Sequence, residues 1–326
     1  MVSLRNVRRS LERRRDRVDE ALEDLVQERM TKSDAPAMSL ARDILLAGGK
    51  RIRPVLGLLA YEAVGGEDVD SVMDLAIAAE LLHTATLIHD DIYDQSKTRR
   101  GVPTLHSTHG ISHGIIAGDY LFVLAFSLGG RCEERIVERM GEASANIAAG
   151  ELLQLKHIGD LGTTPEDYYA IIDGKTAGPF ASACACAAMF ANAPEEVVDL
   201  LDEFGWEVGR AFQLVDDLLD LTGDSSMGKP RGTDVQDGKM TLPLIHALTM
   251  LHGVEREQLA DVLQNFSEDR WGELTESLEI AGSFDYARQL IQNHIDRAQK
   301  ALDRLPDSEA KSLMIEIAKQ SRSRRT

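Results

Sequence analysis

The chain has 326 residues, 43% hydrophobic and 28% charged, enough for a large buried core in one or two domains. Lys plus Arg number 36 against 54 Asp plus Glu, a formal charge of −18 that disfavours nucleic acid as a partner and requires any anionic ligand to be met by local basic clusters. Aromatics supply only 5% while Ala, Leu and Ile fill the apolar positions, which favours packed helices over a β-sandwich.

Leu4, Val7, Leu11, Val18, Leu22 and Leu25 recur at spacings of three, four or seven and predict a long N-terminal helix with one apolar stripe. The arginines between Arg5 and Arg17 would form its solvated face, and no apolar h-region marks a secretory signal. From Ser39 onward helical patterns recur, broken at Gly65-Gly66, Gly101-Val102-Pro103, Gly129-Gly130, Gly162 to Pro165, Ala193-Pro194 and Gly223 to Gly238. Helix starts are plain at Thr164-Pro165-Glu166-Asp167 and at Pro194-Glu195-Glu196, where proline and acidic residues fill the first turn. The longest uncharged stretch, between Thr176 and Glu195, is built from Ala, Ser, Cys, Gly and Pro, and reads as a crowded interior helix rather than a membrane span. Cys132, Cys184 and Cys186 are too few for a disulfide framework and suit a reducing, cytoplasmic setting. With no linker and no fixed repeat, residues 1–326 read as a single domain: a lead-in helix at 1–38, a motif-bearing core at 39–250 and C-terminal helices at 251–326.

Two segments carry three aspartates each, Asp90-Asp91-Ile92-Tyr93-Asp94 and Asp216-Asp217-Leu218-Leu219-Asp220, and both close apolar helices. On a helix the first and third aspartates of such a motif lie about 40° apart, and like charges at that spacing repel. A cation that neutralises them resolves the conflict, although solvated helix ends would carry the same short pattern. Carboxylates without Cys or His select a hard ion such as Mg²⁺, which keeps waters and shares phosphate oxygens. Basic residues accompany both motifs: Gly48-Gly49-Lys50-Arg51-Ile52-Arg53-Pro54, then Lys97 to Arg100, and Lys229 to Lys239. They can present ammonium and guanidinium groups to a diphosphate.

These segments, with Gly174-Lys175-Thr176-Ala177 and the Phe212-Gln213 that precedes the second motif, resemble the trans-type polyprenyl diphosphate synthases in order and spacing. The resemblance runs from about Ser39 to beyond Pro243. It implies an all-α bundle around a deep apolar cavity with the aspartate motifs across its mouth, a homodimer, and condensation of isopentenyl diphosphate with an allylic diphosphate. By the same resemblance Lys50, Arg53, His83 and Arg100 hold isopentenyl diphosphate, and Arg99, Lys175, Lys229 and Lys239 hold the allylic diphosphate. Asp90 and Asp94 would bridge two Mg²⁺ ions and Asp216 a third, with Asp91, Asp217 and Asp220 orienting waters and ligands. Thr176, Gln213 and the Lys175 carbonyl would stabilise the allylic cation, and His89 reads as a core histidine. Pro179, just after this segment, predicts a helix kink. Five residues before the first motif stands Ala85, small enough to pass a growing tail, with Leu82 next below it and Phe122 or Phe126 as other floors, so the product is expected to be geranylgeranyl diphosphate or longer. A terpene cyclase would lack the GGKRIRP site and replace the second motif, a head-to-head synthase would show another acidic pattern, and a non-catalytic partner subunit would have lost one motif.

Overall fold

The apolar stripe of the N-terminal segment forms α1 (Leu4–Arg29) in the computed structural model, which describes residues 4–99, 101–223 and 231–322. Val7, Val18, Leu22 and Leu25 are buried, as is Val26, one position off the stripe. The arginine run is not wholly solvated: Arg14 is buried and donates to Glu62 at 2.9 Å through Nε and at 2.6 Å through Nη2. That carboxylate lies on α3 (Ile52–Ala63), which follows α2 (Ala35–Leu45).

Next come α4 (Met73–Tyr93), the strands β1 (Thr98–Arg99) and β2 (Val102–Pro103), α5 (Leu105–His109), α6 (Ile111–Gly129) and α7 (Glu134–Lys156). The strands are too short for any period-two pattern to reveal them, and they pair antiparallel with Thr98 opposite Pro103 and Arg99 opposite Val102. α4 packs along α6. Gly118 makes it possible: a Cβ there would stand 2.1 Å from His89 Nε2.

The chain continues through α8 (Pro165–Ile172), a π-helical turn (Asp173–Ala177), α9 (Gly178–Phe190) and α10 (Glu195–Thr222). α8 starts where Thr164 to Asp167 predict a helix start, and Thr164 caps it, its side chain accepting from the Asp167 N–H while the Asp167 carboxylate accepts from the Thr164 N–H. Just before Pro179, where the sequence predicts a kink, the helix widens into the π-turn. In α9 Phe180, Ala181, Cys184, Ala185, Cys186, Ala187 and Ala188 are all buried, in keeping with a crowded interior helix. Then follow α11 (Thr233–Gln236), α12 (Leu242–Met250), α13 (Gly253–Gln264), α14 (Trp271–Ile280), α15 (Ser283–Leu302) and α16 (Glu309–Arg322).

The helices belong to two compact units. The first comprises Met1–Ser144, Ser182–Asp202 and Leu305–Glu316; the second comprises Ala145–Ala181, Glu203–Arg304 and Ile317–Thr326. In the second, Leu214, Leu242, Ile245, Leu259, Leu274, Leu278, Ile291 and Ile295 build a core that positions the final turns of α10. Gly209 lets α10 approach the π-turn closely, since a Cβ there would stand 2.5 Å from Ala177 Cα.

Candidate active site

In the first unit, the acidic motif occupies the C-terminal end of α4. Asp94 is the cap, its N–H donating to the Asp90 carbonyl at 2.8 Å. Asp90 and Asp94 are half-buried, whereas Asp91 is 1% exposed. The β1–β2 hairpin returns Arg99 to this end, where Nε and Nη2 both donate to Asp91 Oδ1, at 2.8 and 2.6 Å. Burial nonetheless holds the Asp91 carboxyl above its ordinary value, against the pull of Arg99. Its other oxygen, Oδ2, is buried with no hydrogen-bond partner among the described residues.

The three cations of the GGKRIRP segment separate. Lys50 is exposed and Arg53 half-buried, but Arg51 is 3% exposed and belongs to the interior. With left-handed backbone (φ 47°), it donates from Nη1 to Glu80 at 2.6 Å, from Nε to Asp19 at 2.8 Å and from Nη2 to the Leu45 carbonyl at 2.7 Å. Three consecutive-looking cations thus divide into one structural residue and two candidate ligands.

His83 is half-buried, about two turns before Asp90. His89 stacks on Phe122 with ring centroids 6.1 Å apart and places Nε2 3.3 Å from the Ile115 carbonyl. Ala85 is fully buried, while Leu82, Phe122 and Phe126 are half-buried.

In the second unit, the π-turn carries Lys175 and Thr176. Lys175 Nζ forms an ion pair with Glu151, a partner no sequence pattern suggested. Thr176 donates its hydroxyl to Gln213 Oε1 at 2.8 Å, and Gln213 Nε2 donates to Asp217 Oδ1 at 2.8 Å. Tyr168 completes the row by donating to Asp217 Oδ2 at 2.5 Å. The spacing of Gln213 and Asp217 on one helix face was legible, but Tyr168 stands in an ordinary apolar helix and nothing local singled it out.

The three aspartates of the second motif therefore differ. Asp216 is exposed, Asp217 is 3% exposed and Asp220 is half-buried. Burial, reinforced by nearby Asp234, pushes Asp217 up to about 8 and Asp220 to about 6, despite the hydrogen bonds each accepts. Asp220 takes the N–H groups of Thr233 and Asp234 at 3.0 and 3.1 Å, which anchors the start of α11. Lys239 donates to Asp237 at 3.1 Å and lies 3.7 Å from Asp234. Arg100 and Lys229 lie outside the described residues.

This donor set suits a hard divalent cation. Asp91 keeps one buried oxygen without a hydrogen-bond partner among the described residues, and burial with nearby Asp234 disfavours charge on Asp217 and Asp220, so added positive charge would favour all three carboxylates. Among the described residues no three His, Cys, Asp or Glu side chains converge as a cage. The pattern fits an ion that takes one or two protein carboxylates and completes its shell with water and phosphate.

Comparison with known proteins points the same way. The model of the family described as polyprenyl synthetase matches residues 36–279, across both units. Octaprenyl diphosphate synthase of Escherichia coli is 38% identical over 285 residues, covering 84% of this chain and 86% of that protein. Geranylgeranyl diphosphate synthase of Methanosarcina mazei is 33% identical over 315 residues, covering 94% and 95%. The crystal structure of a polyprenyl synthase from Caulobacter crescentus, complexed with calcium and isoprenyl diphosphate, matches at TM-score 0.89 and 34% identity over 97% of each chain. Motifs, helical fold and relatives agree: the chain belongs to the polyprenyl synthetase family and is a prenyl-transferring isoprenyl diphosphate synthase.

Proposed function

We propose that this enzyme joins isopentenyl diphosphate to dimethylallyl, geranyl or farnesyl diphosphate and releases geranylgeranyl diphosphate or a longer product. Lys50, Arg53, His83 and Arg100 hold the isopentenyl diphosphate, and Arg99, Lys175, Lys229 and Lys239 the allylic one. Asp90, Asp94 and Asp216 would hold Mg²⁺, three ions in all, while Asp91, Asp217 and Asp220 would align ligands and water. When bound, the ions neutralise charge on the leaving diphosphate.

The reaction needs no nucleophilic side chain. The allylic C–O bond breaks with its electrons passing to the diphosphate, the isopentenyl double bond forms the new C–C bond, and the departed diphosphate takes the proton that restores an alkene. The observation that carries this reading is the Thr176–Gln213–Asp217 row. Thr176 donates its hydroxyl hydrogen bond to Gln213, and Gln213 donates from its amide N–H to Asp217. The oxygens of Thr176 and Gln213 thus keep lone pairs for an electron-poor ligand such as an allylic cation. Pro179 lacks the N–H that would serve the Lys175 carbonyl in an α-helix, which favours a third such oxygen.

A homodimer is part of the proposal. It is supported by α6, which exposes Ile111, Ile115, Ile116 and Val123 along one helix. Among the described residues α6 is also the one helix long and apolar enough to cross a membrane, but Asp119 interrupts it and an interface explains its apolar face equally. We place the enzyme in the cytoplasm, in keeping with three free cysteines, two of them buried.

Purified protein incubated with Mg²⁺, isopentenyl diphosphate and each allylic starter should yield products of C20 or longer on chromatographic separation. Products ending at C15 would overturn the proposed length, and no condensation with any starter would overturn the proposed substrates.

A further inference from the structure

A second polar cluster lies beside the π-turn, and none of the roles above uses it. Asp173 opens the turn two residues before Lys175. Its two carboxylate oxygens accept from Arg210 Nε and Nη2 at 2.7 and 2.8 Å, a fork-to-fork pair. The remaining arm, Nη1, donates to Glu207 Oε1 at 3.0 Å, one turn earlier on α10. Glu207 is 5% exposed and accepts at Oε2 from His294 Nδ1 of α15, 2.6 Å away. Because a carboxylate can only accept, His294 carries its proton on Nδ1, and Nε2 stands 3.0 Å from the Tyr169 hydroxyl.

Stability alone is a poor reason for such a cluster. Taking charges out of water offsets most of what their pairing contributes, and apolar packing of equal volume would serve a helix interface as well. A row of directional bonds instead fixes geometry. The segment it grips is one that needs fixing, since a π-turn interrupts the regular i→i−4 ladder and is frequently found at functional sites. Arg210 ties α10 to Asp173, and His294 ties Glu207 to α15, so two neighbouring helices determine where residue 173 sits. Lys175 follows two residues later, its ammonium group held by Glu151.

We propose that Asp173, Arg210 and Glu207, backed by His294, form a positioning row that sets the π-turn and thereby aims Lys175 and Thr176 at the allylic diphosphate. The proposal rests on the reading of Lys175 as a ligand of that diphosphate. None of the row touches substrate. It acts on one of the two substrates, because its grip ends on the turn.

The test combines Arg210→Gln, Arg210→Lys and the isosteric Asp173→Asn with Lys175→Ala in the full-length protein. Steady-state KM is measured for each substrate separately. The Kd of an inert allylic thiolodiphosphate is measured by calorimetry, and thermal melting reports folding. Arg210→Gln and Asp173→Asn should weaken analogue binding and raise the allylic KM about tenfold or more, with the isopentenyl KM unchanged. Arg210→Lys should recover part of the loss. Adding Arg210→Gln to Lys175→Ala should weaken analogue binding little further, because both act through one contact. If Lys175→Ala weakens the analogue while folded Arg210→Gln and Asp173→Asn do not, the positioning row is refuted with the Lys175 assignment intact. Equal rises in both KM values, or full additivity with Lys175→Ala, would show a merely structural role and also overturn it. An unchanged Kd in Lys175→Ala would instead remove the Lys175 assignment itself, and this proposal with it.

Discussion

Tyr168 donates its hydroxyl proton to Asp217 across 2.5 Å, and both residues are buried. That hydrogen bond favours the charged carboxylate, yet burial and nearby Asp234 outweigh it and make the second carboxylate of the motif the one least able to carry charge before a cation arrives. The folded carboxyl keeps its proton up to about 8, while an unfolded aspartate loses it near 4. Between these values the native state binds more protons than the unfolded chain, so stability falls as pH rises through the window. Thermal melts in chelator should show a lower Tm at pH 8 than at pH 6, with Asp217→Asn flattening the difference. An equal slope in wild type and variant would place the Asp217 proton elsewhere.

Chelation should abolish condensation, and Mg²⁺ should restore it, since both motifs are built from carboxylates alone. Full turnover in metal-free buffer would contradict the assignment. Asp90→Ala and Asp216→Ala should each reduce kcat by about 10²-fold or more with helicity intact. Asp220→Ala should cost less activity. The comparison is made by single-turnover kinetics and circular dichroism.

Lys50 and Arg51 are neighbours with opposite expected phenotypes. Lys50→Ala should raise the isopentenyl KM and leave the melting curve in place. Arg51→Ala removes the cation that buried Glu80 and Asp19 face and should destabilise by about 3–5 kcal/mol. Denaturant titration of the two variants separates the cases, and equal stability losses would refute the division.

Ala85→Phe should shorten the product set and Leu82→Ala should lengthen it, read by chromatography of dephosphorylated products. One helical turn spans about 5.4 Å, comparable with one isoprene unit. The α4–α6 seam constrains the result: Ile92 adjoins Gly114 and His89 adjoins Gly118, so α6 runs antiparallel to α4 and carries Phe122 toward the level of Ala85. If Ala85→Phe leaves product length unchanged, Phe122 or another α6 residue forms the floor.

Much of this molecule was legible in local pattern. The stripe of α1, the helix start at Thr164 to Asp167 and the acidic motifs all depend on residues within one or two turns, where helical spacing is a strict rule. What stayed hidden depends on distant partners. Nothing near Arg51 tells it from Lys50 or Arg53, because its place is set by Glu80 and Asp19, at separations of 29 and 32 residues. Tyr168 meets Asp217 across 49 residues. Pro179 announced an irregular helix, but not the close seat of Ala177 on the Gly209 face of α10, a contact of tertiary origin.

The π-turn stores one extra residue in what would otherwise be a continuous α8–α9 helix, and an added residue rotates everything after it by about 100°. The bearing of Lys175 and Thr176 is thus encoded as a phase offset between two helical segments. Deleting a single residue between 173 and 177 would turn α8, with these side chains, by about 100° against the buried face of α9. The register between α8 and α9 is thus shared by the proposed ligands and by the packing of α9.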